Sequence, residues 1–283
     1  MKQLFVLLQY AVPHHLLSRI MGALAECRWP WLKNPLIRLF IDVYKVDMSE
    51  AVKSDAAAFS CFNDFFTREL RPNVRPICTA TNILVSPVDG SVSEVGRINS
   101  DIIIQAKGNN YTLANLLGGA EKLSDYFLDG SFITLYLSPK DYHRVHSPLG
   151  GNLIASFYLP GSLFSVNETT VNSVPNLFSR NERLVMLFDT ACGKMVLIMV
   201  GAMLVAGIKT VWRDGVYRPN VRFSDHLPIP QSFETGDELG QFQLGSTVIL
   251  LFEPDTVNWD EGVANQRVVK QGERLASFSG SDA

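Results

Sequence analysis

From about Pro76 onward the chain consists of short apolar runs, rich in β-branched and aromatic residues and each closed by glycine or proline, and this punctuation limits what it can fold into. The runs include Asn82-Ile-Leu-Val-Ser86, Phe132-Ile-Thr-Leu-Tyr-Leu137, Met195-Val-Leu-Ile-Met-Val200 and Thr247-Val-Ile-Leu-Leu-Phe252. They read as strands, because branched side chains pack well on a pleated surface while Gly and Pro interrupt it. Helical text between them, at Leu113 to Leu117 and Glu121 to Phe127, is too sparse for the alternation of a doubly wound sheet. The expected class is α+β: a β-rich mixed core with amphipathic helices at the amino terminus.

Those helices are expected in a segment of different character. Up to Phe40, the basic residues Lys2, Arg19, Arg28, Lys33 and Arg38 face a single acid, Glu26. Pro13 can open a helix in which Leu16, Leu17, Ile20, Met21 and Leu24 make one apolar stripe. A second helix is expected after Asn34 as cap, with Pro35 at its first position and Leu36, Ile37, Phe40, Ile41 and Tyr44 on one side. Trp29 and Trp31 lie between the two. Such stripes commonly pack on a core, yet paired tryptophans with basic neighbours also suit a lipid interface.

Composition removes several functional classes. With 47% hydrophobic residues and a net charge of −3, the chain is globular and lacks the basic excess of a nucleic-acid binder. Cys27, Cys61, Cys78 and Cys192 are widely spaced, without the clustering of a zinc site or a disulfide framework, so no metal and a reducing compartment are expected. No stretch reaches the roughly 18 to 20 apolar residues of a membrane span, and the run Leu4 to Leu8 is short for a signal peptide. The expected location is the cytosolic side.

Four segments can carry chemistry. Ser86-Pro-Val-Asp-Gly90 places a carboxylate, Asp89, in a turn after a strand; Asp-Gly is also a common structural turn. Ser138-Pro-Lys-Asp-Tyr-His-Arg-Val-His-Ser-Pro148 holds two of the five histidines, His143 and His146, three residues apart. They could share one side of a helical turn, but a metal would need a third ligand, and a general acid or base near neutral pH is the more economical use. Leu244-Gly-Ser-Thr247 ends a glycine-rich turn and leads into a strand; it does not match the Gly-x-Ser-x-Gly hydrolase elbow. Gln105-Ala-Lys-Gly-Asn-Asn-Tyr111 sets Lys107 in a glycine turn, where it could hold a phosphate or remain solvated.

Together these segments resemble the bacterial type of phosphatidylserine decarboxylase nearly end to end, from Tyr44-Lys-Val-Asp-Met48 and Phe62-Asn-Asp-Phe-Phe66 to the final strand. Leu244 to Thr247 is identical to the family's Leu-Gly-Ser-Thr hallmark. Leu159-Pro-Gly-Ser-Leu-Phe-Ser-Val-Asn167 and Val174-Pro-Asn-Leu-Phe-Ser-Arg-Asn-Glu-Arg183 are also similar to family text. The resemblance implies that Ser246 attacks the Gly245 carbonyl, with His146 taking its proton and Asp89 orienting His146 as in a serine-protease triad. It further implies a pyruvoyl group made from Ser246, with no pyridoxal phosphate and no metal, and cleavage into 1–245 (the β chain) and 246–283 (the α chain).

Losing CO2 from an amino acid leaves a carbanion, and a protein-derived ketone is one electron sink that can accept it. By the same resemblance, His143 contributes to substrate recognition and to protonating Cα, with Lys107 and Phe164 as further substrate contacts; the two histidines could exchange roles. Residues 1–75 are then a helical membrane-association region and 76–283 the catalytic domain. The implied setting is peripheral, on the anionic cytoplasmic face of the inner membrane. The implied partners are phosphatidylserine, the chain's own cleaved half and a second processed unit in a homodimer, with no nucleic acid. Two rivals remain on sequence alone: a lipid-directed serine hydrolase using Ser246, His146 and Asp89, and a barrel-sandwich carrier or binding module with Lys107 as its modifiable lysine.

Overall fold

The computed structural model describes residues 9–10, 14–106, 109–202, 207–217, 223–225, 231–243 and 246–278. Its frame is an antiparallel nine-stranded sheet. The spatial order is Phe223–Asp225, Gly151–Leu159, Arg183–Thr190, Gly193–Gly201, Ser246–Phe252, Ser131–Leu137, Gly90–Arg97 and Val268–Val269, with Gln231–Phe233 also on Gly151–Leu159. The central strands are buried on both faces, which is why their sequences are unbroken apolar runs rather than alternating ones. Val248, Leu250 and Phe252 face one core while Ile249 and Leu251 face the other.

The first core is closed by two small sheets. One has Arg274–Phe278 between Ile83–Val85 and Val257–Trp259; the other has Glu238–Gln243 between Gly207–Thr210 and Arg144–His146. The second core is closed by the hairpin Ile102–Ala106 with Asn109–Thr112 and by the short helices Leu113–Leu116, Glu121–Ser124 and Leu177–Arg180. The molecule is thus α+β and β-rich.

A third, separate core belongs to the helices α1 (His14–Ala25), α2 (Pro30–Tyr44) and α3 (Phe62–Phe66). It is an aromatic cluster in which Phe40 meets Phe62, Phe65 and Phe66 edge-on at 5.1, 5.9 and 6.0 Å. Edge-on packing of this kind adds to the roughly 1.5–3 kcal/mol that burying each ring contributes.

Helix α2 begins a turn earlier than its sequence suggests. Pro30 stands in the first turn, Trp29 occupies the cap position without a side-chain cap, and Pro35 lies inside the helix. Asn34 accepts from Lys33 Nζ at 2.6 Å instead of capping. A proline this near the amino end forfeits only one intrahelical bond, so packing of Ile37 and its neighbours on the aromatic core can outweigh it.

Candidate active site

One end of the central sheet collects the chemistry. Ser246 begins its strand opposite Leu137, the last residue of one neighbour, and Gly201, the last residue of the other. One step along, Thr247 pairs with Tyr136, and Tyr136 pairs with Ser91. The strand after Asp89 therefore starts, and the strand before the histidine segment ends, at the level where Ser246 starts. Gly90 is required here: an added Cβ would fall 2.4 Å from the Tyr136 carbonyl oxygen.

The Asp89 loop is tied down by main-chain bonds. His146 N–H donates to the Pro87 carbonyl at 2.9 Å and Ser86 N–H to the Glu273 carbonyl at 2.7 Å; Ser86 Oγ donates to the Val88 carbonyl at 2.7 Å. Asp89 itself is 1% exposed. Its carboxylate accepts from Arg75 Nε at 2.8 Å and Nη2 at 2.6 Å, from Lys270 Nζ at 3.2 Å and from the Gln271 N–H at 2.9 Å. Burial alone would raise its pKa, but Arg75, Gln271 and Lys270 outweigh that and hold it below the usual carboxylate range.

The two histidines do not share a helical turn. Residues 144–146 form a strand, so the rings at 143 and 146 take up different surroundings. His143 is fully buried, its ring against Phe66 with centroids 4.0 Å apart. Its Nδ1–H donates to the Asp141 carbonyl at 2.8 Å, leaving the lone pair on Nε2, which has no hydrogen-bond partner among the described residues. Burial pulls its pKa down to about 3, so the ring is neutral near pH 7. The Asp141 carboxylate accepts from Ser138 N–H at 2.8 Å and Oγ at 2.7 Å, which shapes the turn between strand and histidines.

His146 donates from Nδ1 to the Gly236 carbonyl at 2.8 Å and meets the Tyr142 hydroxyl with Nε2 at 3.0 Å. Burial lowers its pKa also, opposed by the Gly236 carbonyl and by the negative field of Glu238 and Asp89. The expected direct Asp89–His146 hydrogen bond is not formed: the carboxylate is taken by Arg75, Lys270 and Gln271, and it acts on the imidazole through space.

An ionised buried carboxylate, a neutral imidazole in its field and a serine opening the adjacent strand are groups that can activate a hydroxyl. The family profile described as phosphatidylserine decarboxylase matches residues 62–277, and a second, described as PSD, matches residues 4–45. Relatives named phosphatidylserine decarboxylase proenzyme come from Pseudomonas fluorescens and Pseudomonas entomophila, each 49% identical over 279 residues that cover 97% of both chains. A third, from Stutzerimonas stutzeri, is 47% identical over 96% of this chain and 94% of its own. The chain belongs to the phosphatidylserine decarboxylase family.

Leu244, Gly245, Lys107 and the side chain of Ser246 lie outside the described residues. Phe164 is 3% exposed and packs under Tyr10 at 5.1 Å and the Arg180 guanidinium at 4.7 Å. It is not part of the cavity of about 420 Å³ beside Thr247, whose walls include Ser91, Ala106, Tyr136, Val166 and Phe178. Sequence reading missed Arg75 and Lys270, the cations that hold Asp89, because nothing local pairs them with it. It also missed Arg68, 5% exposed, which donates from Nη2 to the Lys140 carbonyl at 2.9 Å while Nε and Nη1 have no partner among the described residues. Tyr142 had a readable signal, since it stands beside His143 in the histidine motif.

Proposed function

We propose that this chain is a proenzyme that cuts itself between Gly245 and Ser246, turns Ser246 into a pyruvoyl group and decarboxylates phosphatidylserine to phosphatidylethanolamine. The observation that carries the reading is the convergence of Asp89, His143, His146 and the start of the Ser246 strand at one end of one sheet. In the first step the Ser246 hydroxyl adds to the Gly245 carbonyl carbon and its proton passes to His146. The C–N bond then breaks as the new amine takes a proton back, leaving an ester. Elimination releases Gly245 as a carboxylate, and hydrolysis of the remaining dehydroalanine frees ammonia and leaves a ketone.

That ketone supplies the electron sink for the pair left when CO2 departs. His143 supplies the proton bookkeeping. Its Nε2, unclaimed by any described residue, is placed to meet the substrate and to deliver the proton to Cα after CO2 leaves. The serine-hydrolase and carrier readings gain no support from the family profile or from the relatives above, which are named phosphatidylserine decarboxylase proenzyme.

The membrane setting draws support from α2. Its Leu36, Ile37, Phe40 and Ile41 stripe packs into the aromatic core. A second stripe at four-residue spacing, Trp31, Pro35, Leu39 and Val43, stays exposed, with Trp31 at 70% and Leu39 at 60%. Trp29 stacks on Trp31 at 5.5 Å, and Arg19, Arg28 and Arg38 of the same amino-terminal segment are exposed. Among the described residues no helix is long and apolar enough to cross a membrane. An exposed apolar stripe in a segment rich in exposed arginines suits peripheral attachment to an anionic leaflet, here the cytoplasmic face of the inner membrane. In this arrangement residues 1–75 bring the catalytic part, 76–283, to the headgroup, and two processed units form the dimer.

Intact mass spectrometry tests the central claim. The matured wild type should give two polypeptides split after Gly245, the shorter with a blocked amino terminus, and Ser246→Ala should remain a single inactive chain. An active, uncut wild type would refute it.

A further inference from the structure

Arg68 buries a full charge next to His143 without a carboxylate to pair it. It follows α3, whose Phe65 ring lies 5.8 Å from the guanidinium and whose Phe66 ring packs on the imidazole. Its Nη2 donates to the Lys140 carbonyl at 2.9 Å and, more weakly, to the Asp141 carbonyl at 3.4 Å. That second carbonyl is the one that accepts His143 Nδ1–H at 2.8 Å. Two donors on one oxygen lie within about 6 Å of each other, close enough for a full charge on one to act on the protonation of the other. Nε and Nη1 have no partner among the described residues. Burying a guanidinium in this way is costly, and a neutral amide could tie the same carbonyls, so the charge needs a reason beyond holding the turn.

We propose that Arg68 is a positioning residue for His143: it holds the Asp141 carbonyl that keeps the imidazole proton on Nδ1, and its charge keeps a second proton off Nε2. The inference rests on His143 being the group that meets the substrate. Burial is the main reason the ring is neutral; the Asp141 carbonyl and Asp89 favour the imidazolium, and Arg68 disfavours it. Arg68 therefore offsets, at the imidazole, the field of the Asp89 carboxylate. Burial lowers the pKa of the guanidinium itself, as does Arg75, while Asp89, Glu50 and Asp141 favour its charge. Without Arg68, the field of Asp89 would draw a proton toward Nε2 and close the ring position that no described residue claims.

Arg68→Gln keeps a donor for the carbonyls and removes the charge, whereas Arg68→Lys keeps the charge. In heteronuclear NMR spectra of the full chain labelled at histidine nitrogen, His143 of Arg68→Gln should take up its second proton about one pH unit or more above wild type. Arg68→Lys should match wild type. His146, held by Gly236 and Tyr142, should titrate alike in all three proteins. An unmoved His143 in Arg68→Gln would overturn the proposal, and so would a parallel move of both histidines, the mark of a loosened fold. If Arg68→Gln does not fold, the other two proteins decide: a proton on Nε2 of wild type at neutral pH, or a shifted His143 in Arg68→Lys, sinks the proposal, and the Nδ1–H tautomer with an unshifted Arg68→Lys upholds it. Decarboxylation by His143→Asn at the wild-type rate is a different result, since it removes the task assigned to His143 and leaves the titration standing.

Discussion

His143 shows how a single residue trades stability for readiness. A buried imidazole with its lone pair unclaimed by any described residue is costly, and it stays neutral because burial disfavours its charged form. Arg68 pushes its pKa further down while the Asp141 carbonyl and Asp89 pull it up. A histidine whose folded pKa lies near 3 and whose unfolded pKa is about 6.5 binds its proton more readily when unfolded. Stability is therefore complete above about pH 6.5 and is lost as pH falls toward 3. Denaturant titrations over that window should show wild type losing about 1.4 kcal/mol per pH unit more than His143→Asn. Equal slopes would place the proton elsewhere.

Asp89 is governed by the opposite balance, since Arg75 and Lys270 keep it charged despite burial. Asp89→Asn keeps the shape but removes the field that favours the His146 imidazolium. Self-cleavage should slow by about a hundredfold, read as surviving precursor on a denaturing gel. The position of Asp89 and of both histidines was legible from motif text. Their ring partners were not, because those depend on Gly236 and Phe66, which approach from distant parts of the chain.

At the scale of elements, α2 has two apolar faces with different fates. The face bearing Ile37 and Phe40 is committed to the aromatic core, so the exposed Trp31, Leu39 and Val43 face is free for lipid. The double substitution Leu39→Glu, Val43→Glu should leave folding and self-cleavage intact. It should weaken co-sedimentation with phosphatidylserine-containing vesicles by roughly tenfold or more, since each side chain would forgo about 1–2 kcal/mol of burial. Unchanged vesicle binding would remove α2 from the docking surface. The strands were recognisable from their apolar runs because central strands bury both faces. The start of α2 was not, because Pro30 and Pro35 are each acceptable first-turn residues and only packing chooses between them.

Across the whole molecule, the amino-terminal helices and the catalytic sheet are joined by arginines that also serve the site. Arg75 spans Glu50 and Asp89, Arg68 reaches the Lys140 carbonyl, and Arg144 donates to the Thr67 carbonyl at 3.0 Å. In the proposed membrane setting, a helical unit bolted to the catalytic loops in this way would hold the site at a fixed distance from the lipid surface. Arg75→Met should cost about 3 kcal/mol in denaturant unfolding, because it leaves Asp89 buried without its main partner. It should also speed limited proteolysis of the segment before residue 75. Wild-type stability and wild-type proteolysis would show that the join does not depend on this residue.

The amino-acid sequence alone determined the β-rich class, the amino-terminal helices and the family, and it singled out Asp89, His143, His146 and Ser246 as candidates. Strand periodicity and contiguous motifs are local, and local patterns survive without coordinates. Tertiary structure alone decided that Arg75, 14 residues from Asp89, and Lys270, 181 residues from it, hold the carboxylate, and that His146 faces Tyr142 and Gly236 instead. Such pairings arise when folding removes water from charges that lie far apart along the chain, and no stretch of sequence encodes which of them will meet.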